Sequence, residues 1–104
     1  MKRVLAIIIL AVCALLSRVA YIQHNIDVTF GNTLLGTEES KIGEQLGNPW
    51  RKTACGQTFG GEFPRGCATE LSYAAPLAPV RPQYWAFRYD SAGKLIDKYR
   101  YDSP

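Results

Sequence analysis

The stretch QYWAFRYDSAGKLIDKYRY, residues 83–101, decides the fold class that we expect for this chain. Large aromatic residues alternate with smaller or polar ones over residues 83–89, which is typical of a strand with one buried face. The next four residues, Asp-Ser-Ala-Gly at 90–93, have the chemistry of a turn, and residues 94–101 then predict a returning strand. The stretch therefore predicts an antiparallel hairpin at the end of the chain.

The pairing across this turn determines which side chains share a face of the sheet. A four-residue turn at residues 90–93 would pair Phe87 with Ile96 and place Trp85 and Tyr89 on the same face, which a helix can cover. We expect nothing in this short chain to cover the opposite face, which carries Tyr84, Arg88, Asp97, Tyr99 and Tyr101. Tyr and Arg are enriched at binding hot spots, so these five are our candidate partner-binding residues. The alternative is an ordinary solvated face with an Arg88–Asp97 ion pair.

A short helix is predicted upstream of the sheet. Thr37 can cap its N-terminus, and Gly47 followed by Pro49 ends it. Ile42 and Leu46 lie four residues apart and form a narrow apolar stripe. Because about ten residues are too few for an isolated helix to persist, we expect this stripe to pack on the sheet.

Cys55 and Cys67 are the only cysteines after the N-terminal segment. A three-residue loop at residues 60–62 would place them opposite each other across a hairpin, at a separation that a disulfide can bridge. A zinc site lacks further ligands nearby, and a Cys-x-x-Cys redox motif is absent. We therefore predict a structural disulfide, followed by a half-buried strand over residues 67–73. Three prolines within residues 76–82 then predict a stiff extended connection.

The stretch GTEESKIGEQLGNP, residues 36–49, resembles the signature of the SmpA/OmlA (BamE-like) family of small envelope lipoproteins. Gly36, Ile42, Leu46, Gly47 and Pro49 fall at the spacing of that family. The stretch YDSAGKL, residues 89–95, resembles the last hairpin of the family, so the resemblance covers roughly residues 36–101. It implies an exported helix-on-sheet domain that acts through protein contacts. Family members support the assembly of outer-membrane proteins, and β-lactamase-inhibitor proteins, which block enzymes, share the architecture.

The first 22 residues are typical of a membrane-directed segment. Lys2 and Arg3 precede an apolar run that begins at Val4. This segment has three interpretations: a cleaved secretory signal, an uncleaved anchor over residues 4–22, or a lipoprotein signal with Cys13 in an imperfect box. All three export the rest of the chain. Residues 23–35 show no sustained period and predict a tether to a domain at residues 36–104.

The charge balance argues against a nucleic-acid partner. Three of the twelve basic residues, Lys2, Arg3 and Arg18, lie in the first segment, so nine remain against nine acidic residues. A domain without excess positive charge is a poor match for phosphate. Because His24 is the only histidine and lies beside the membrane segment, a catalytic pair of Cys or Ser with His could be built only there. We expect a non-enzyme without cofactor, metal or small-molecule substrate.

Together these features predict an α+β fold: an N-terminal membrane or signal helix, then one short helix packed on a three- or four-stranded antiparallel sheet. We expect a bacterial cell-envelope protein, either anchored in the inner membrane with a periplasmic domain or secreted to the periplasm. Its expected role is that of an accessory protein that binds and stabilises a larger membrane or periplasmic protein complex. The alternative is a periplasmic inhibitor or immunity protein that blocks a hydrolase.

Overall fold

The computed structural model describes residues 1–59 and 62–102. Two helices precede four strands: α1 (Lys2–Asn32), α2 (Glu39–Leu46), β1 (Arg51–Ala54), β2 (Cys67–Ala74), β3 (Gln83–Asp90) and β4 (Leu95–Asp102). The strands form one antiparallel sheet in chain order. The predicted α+β class, with a short helix and an antiparallel sheet, is confirmed.

α1 is one helix that crosses the predicted boundary at residue 22 and continues to Asn32. The irregular tether predicted over residues 23–35 is therefore wrong for most of its length. Ile26 and Phe30, four residues apart, face the sheet: Ile26 is buried, and the Phe30 ring meets Phe87 edge-on with centroids 5.5 Å apart. Because the local pattern is weak, tertiary packing holds this part of the chain in a helix.

α1 runs in the same direction as β3. The Gln23 amide donates a hydrogen bond to Gln83 at the start of β3 (3.1 Å). Further along both elements, the Trp85 indole N–H donates to the Asp27 carboxylate (3.3 Å). Phe30 then packs against Phe87, which is the next contact in the same direction. The start of β3 therefore lies at the end of the domain nearest to the apolar part of α1.

Lys98 of β4 satisfies the C-terminal end of α1. Its Nζ donates to the carbonyl oxygens of Phe30 (2.6 Å) and Thr33 (2.9 Å). The last carbonyls of a helix lack partners within the helix and carry partial negative charge, so an ammonium group is favourable there. The C-terminal end of α1 is thus hydrogen-bonded to β4, an edge strand of the sheet.

The boundaries of α2 differ from the prediction at one end. Thr37 does not cap the helix; its hydroxyl donates to the Leu34 carbonyl in the preceding turn (2.6 Å), and α2 begins at Glu39 without a side-chain cap. At the other end Gly47 adopts φ 74°, in the left-handed region that favours glycine, as predicted.

The hydrophobic core lies between the helices and one face of the sheet. Trp85, Phe87 and Tyr89 are fully enclosed, which confirms the predicted buried face of β3. The other buried members of the core are Ile26, Ile42, Leu71, Tyr73, Ala75 and Leu95, and Phe30 and Leu46 pack against them while partly exposed.

The β3–β4 hairpin is two residues out of the predicted register. Phe87 pairs with Lys98 rather than with Ile96, and a β-bulge then places Leu95 opposite Tyr89. Leu95 therefore enters the core, with 1% exposure, and Ile96 is only half-buried. A shift of two residues preserves the alternation, so the predicted division of the other side chains between the two faces is unaffected.

The disulfide between Cys55 and Cys67 is confirmed, with Cα atoms 6.0 Å apart. Its setting differs from the prediction, because β1 pairs with β2 one residue out of register and the pairing ends at Ala54. The cysteines therefore join the two ends of the connection between β1 and β2. The predicted three-residue loop includes Gly60 and Gly61, which lie outside the described residues.

Two further predictions are wrong. The second part of β2 is not half-buried, because Glu70 and Ser72 are as enclosed as the core residue Leu71, so both faces of the strand are covered over residues 70–73. Residues 76–80 are not extended but form consecutive turns, which begin with a hydrogen bond from the Ala78 N–H to the Ala75 carbonyl (2.9 Å). The fixed φ of proline suits the second position of a turn as well as an extended segment.

The buried Tyr89 hydroxyl predicts a loss of stability at alkaline pH. Burial raises its pKa above the ordinary value of 10.0, and the nearby Tyr73 and Glu39 raise it further. The stabilising contribution is complete below about pH 10 and is lost as the pH rises, because the unfolded chain releases this proton first. We expect Tyr89→Phe to lose less stability than the parent between pH 8 and pH 11, measured by urea unfolding. The matched control is Tyr101→Phe at an exposed position; equal losses in parent and Tyr89→Phe would contradict the assignment.

Candidate functional site

The face of the sheet opposite the helices brings together all five predicted partner-binding residues. Tyr84 lies opposite Tyr101, Arg88 opposite Asp97, and Tyr99 opposite Ala86 on the neighbouring strand. We name this surface the tyrosine face and define it by Tyr84, Arg88, Asp97, Tyr99 and Tyr101.

A buried ion network lies at the centre of this face. Arg88 is 2% exposed; its Nε donates to Glu70 (2.6 Å), and its Nη1 donates to Asp97 (3.0 Å) and to the Glu62 carbonyl (3.1 Å). Burial by itself lowers the pKa of Arg88, but the hydrogen bonds and charges of Glu70 and Asp97 outweigh it, so the pKa is raised. Arg88 is therefore a charged structural residue whose guanidinium is already engaged inside the protein.

Phe59, in the connection between β1 and β2, lies over the tyrosines. Its ring centroid is 5.3 Å from that of Tyr101, 5.7 Å from Tyr84 and 6.1 Å from Tyr99. Trp50 also packs on Tyr84, with centroids 4.7 Å apart. The prediction that nothing in the chain covers this face is wrong, because the β1–β2 connection is long enough to fold back over the sheet.

The disulfide fixes this covering connection at both ends. It closes the segment that carries Phe59 and the Glu62 carbonyl, the two groups that contact the tyrosines and Arg88. Gly56 follows Cys55 with φ 84°, a conformation that favours glycine. The chain therefore turns directly after the first cysteine of the disulfide. Closing a loop of this length contributes about 3 kcal/mol by the chain-entropy estimate.

An aromatic surface remains accessible after the connection has closed over the centre. Tyr99 and Tyr101 are 41% and 36% exposed, and Trp50 is 51% exposed. Of the five predicted residues, Tyr99 and Tyr101 can therefore meet a partner, while Tyr84 is half-buried under Trp50 and Phe59 and Arg88 lies beneath the face. Its guanidinium lies 5.3 Å from the centroid of the Tyr99 ring, within range of a cation–π contact.

Sequence reasoning missed three residues of this site: Trp50, Phe59 and Glu70. Glu70 carried a usable signal, because it is the one charged side chain in β2 and an acid there needs a basic partner on the next strand. Phe59 lies in the middle of the segment that the disulfide closes, but only the tertiary structure shows the face on which it folds.

The exposed part of the tyrosine face is aromatic, and Tyr99 and Tyr101 carry hydroxyl groups there. Within residues 1–59 and 62–102, no group of three or more His, Cys, Asp or Glu side chains is positioned to hold a metal ion. A groove of about 530 Å³ between α1 and α2 is lined by polar residues such as Asn25, Thr29 and Lys41 together with the apolar Val28 and Leu34. Aromatic rings with hydroxyl groups offer area and directional hydrogen bonds to another protein.

Two arginines allow a matched comparison of buried and exposed ion pairs. Arg88→Met leaves the fully enclosed Glu70 without its counter-charge, so we expect a loss of about 3–5 kcal/mol in the free energy of unfolding. Arg100 pairs with Asp27 and Asp102 at the surface, and Arg100→Met should cost less than about 1 kcal/mol. Urea unfolding in detergent, followed by circular dichroism, measures both. Similar losses for the two variants would contradict the buried network.

No protein-family model, curated protein or solved structure matches this chain.

Proposed function

We propose that this chain is a small accessory protein of the bacterial cell envelope, anchored in the inner membrane by α1, that binds and stabilises a larger membrane protein complex through the tyrosine face. The continuity of α1 carries the proposal. The apolar N-terminal part and the part that packs into the core belong to one helix, so the domain is held at a fixed height and orientation above the membrane.

The first part of α1 has the character of a membrane anchor. Its most apolar window of 18 residues has a mean hydropathy of 2.5, and none of that window is buried within the protein. A signal sequence has the same character. At about 1.5 Å per residue, residues 4–22 match a hydrocarbon core of about 30 Å. Lys2 and Arg3 at the start favour a cytoplasmic N-terminus and therefore a periplasmic domain.

The position of the tyrosine face favours a partner that is itself at the membrane. Tyr84 and Tyr101 lie opposite each other next to Gln83, which contacts Gln23 of α1. They therefore occupy the end of the sheet nearest to the apolar part of α1. A membrane complex presents its surface at this height, whereas the alternative role, blocking a soluble periplasmic hydrolase, gives no reason for a rigid anchor.

The composition of the face favours a protein partner. Aromatic side chains bury a large area with few rotatable bonds, and their hydroxyl or indole N–H groups find hydrogen-bond partners at an interface. The disulfide and the Arg88 network fix the backbone beneath these rings. A preorganised surface loses little conformational entropy on binding, which favours affinity.

We also propose kinship with the SmpA/OmlA (BamE-like) family. A short helix that begins after Gly36 and ends at Gly47, packed on an antiparallel sheet whose last hairpin turns at Gly93, is the architecture that the resemblance implies. The proposal of kinship itself rests on the sequence resemblance at residues 36–49 and 89–95.

The proposal predicts that the tyrosine face can be altered without unfolding the domain. We expect the double variant Tyr99→Ala, Tyr101→Ala to lose a partner that crosslinks to the parent in intact cells, because both rings are exposed. Its melting temperature should fall only slightly. The matched control is Leu34→Ala, Leu35→Ala, which removes two apolar side chains outside the sheet that are 77% and 64% exposed.

Crosslinking followed by identification of the captured protein also tests the class of partner. A membrane complex that is captured by the parent and the control but not by the tyrosine variant supports the proposal. Capture of a soluble hydrolase whose activity the chain blocks would contradict it, as would unchanged capture by the tyrosine variant.

A further inference from the structure

We propose that the β2–β3 connection, residues 75–82, is a second membrane contact, in which Leu77 and Val80 insert into the interfacial region of the bilayer that α1 spans. This inference rests on the proposed function, because it requires α1 to lie in a membrane. It goes beyond that function by assigning a lipid-binding role to a segment that is far from α1 in the sequence.

The position of the connection follows from the direction of α1. α1 and β3 run the same way, with Gln23 against Gln83 and Asp27 against Trp85. The chain before Gln83 therefore lies beside the helix before Gln23, where the apolar segment ends at Ile22. The turn at residues 90–93 lies at the opposite end of the sheet, away from the membrane.

The backbone of the connection is suited to a medium that is poor in water. The Ala75 N–H donates to the Gln83 carbonyl, and the N–H groups of Ala78, Val80 and Arg81 donate within the turns, at 2.7–2.9 Å. Prolines occupy positions 76, 79 and 82 and have no N–H to satisfy. Among residues 75–82, only Leu77 has a backbone N–H without an acceptor in these turns. Unsatisfied backbone groups are costly near hydrocarbon. Because few N–H groups of this connection lack an acceptor, its backbone favours insertion.

The side chains of the connection match a lipid surface. Leu77 is 53% exposed and Val80 is 86% exposed. Arg81 follows them on the surface and can meet anionic headgroups, and residues 75–82 include no acidic side chain that would oppose this. Apolar side chains beside a basic residue are typical of segments that lie in a membrane interface.

The test places the same environment-sensitive fluorophore, NBD, at two matched positions of the full chain. Val80→Cys reports on the connection, and Ala92→Cys, in the exposed β3–β4 turn, is the control at the far end of the sheet; both carry Cys13→Ala. A third sample labels the native Cys13 within α1. All three are reconstituted into vesicles of phosphatidylcholine and phosphatidylglycerol. Emission wavelength, quenching by lipid-attached nitroxide and quenching by aqueous iodide are then measured.

We expect the label at position 80 to shift to shorter wavelength, to be quenched by nitroxide near the headgroups and to resist iodide, while the label at position 92 behaves as in water. If the Cys13 label lies in lipid but the label at position 80 matches that at position 92, the loop contact is overturned and the anchor stands. That outcome would fit a connection that binds protein instead. A water-exposed Cys13 label would overturn the anchor and this inference together.

Discussion

The sheet has a core face of large aromatic side chains that α2 is too short to cover. Ile42 of α2 is fully enclosed in the core. Trp85 and Phe87 lie in the first part of β3, and there Ile26 and Phe30 of α1 complete the core. Burying such rings contributes roughly 1.5–3 kcal/mol for each side chain relative to exposure. The whole structure depends on this packing, because it completes the core and fixes the sheet relative to the apolar helix.

The other face of the sheet is closed by different means. A domain of this size has few apolar residues left for a second core, and the chain covers the face with a disulfide-closed connection and an ion network instead. Arg88 and Glu70 neutralise each other at the centre, and Phe59 covers the rings around them. The result is a rigid surface whose exposed rim is aromatic, which connects the stability of the domain to the binding role that we propose.

The sequence predicted the elements whose cause is local. The alternation of Trp85, Phe87 and Tyr89, the stop of α2 at Gly47 and the disulfide all follow from short-range patterns, and each is present. The two faces of β3 were also separated correctly, because a register error of two residues preserves the alternation.

Two failures are local, the missing Thr37 cap and the turns at residues 76–80, and the others are tertiary. The second half of α1 is helical because Phe30 finds the sheet, and the β-bulge exchanges Ile96 for Leu95 in the core. Phe59 belongs to the candidate site only because its loop folds back. The contacts of Phe30 and Phe59 join residues that are far apart in the chain, so a local pattern does not contain them. The bulge is an irregularity in the pairing of neighbouring strands, which the turn residues alone do not specify.

Hydrogen exchange in the full chain, reconstituted in lipid nanodiscs, tests the central claim that the second half of α1 is part of the domain core. The amides of residues 26–32 lie beyond the apolar segment, so lipid does not protect them. We predict that they exchange as slowly as the central amides of β3, because both groups open only when the whole domain unfolds. Fast exchange of residues 26–32 while β3 stays protected would contradict the account, since the helix would then be a frayed tether beside an independently folded sheet.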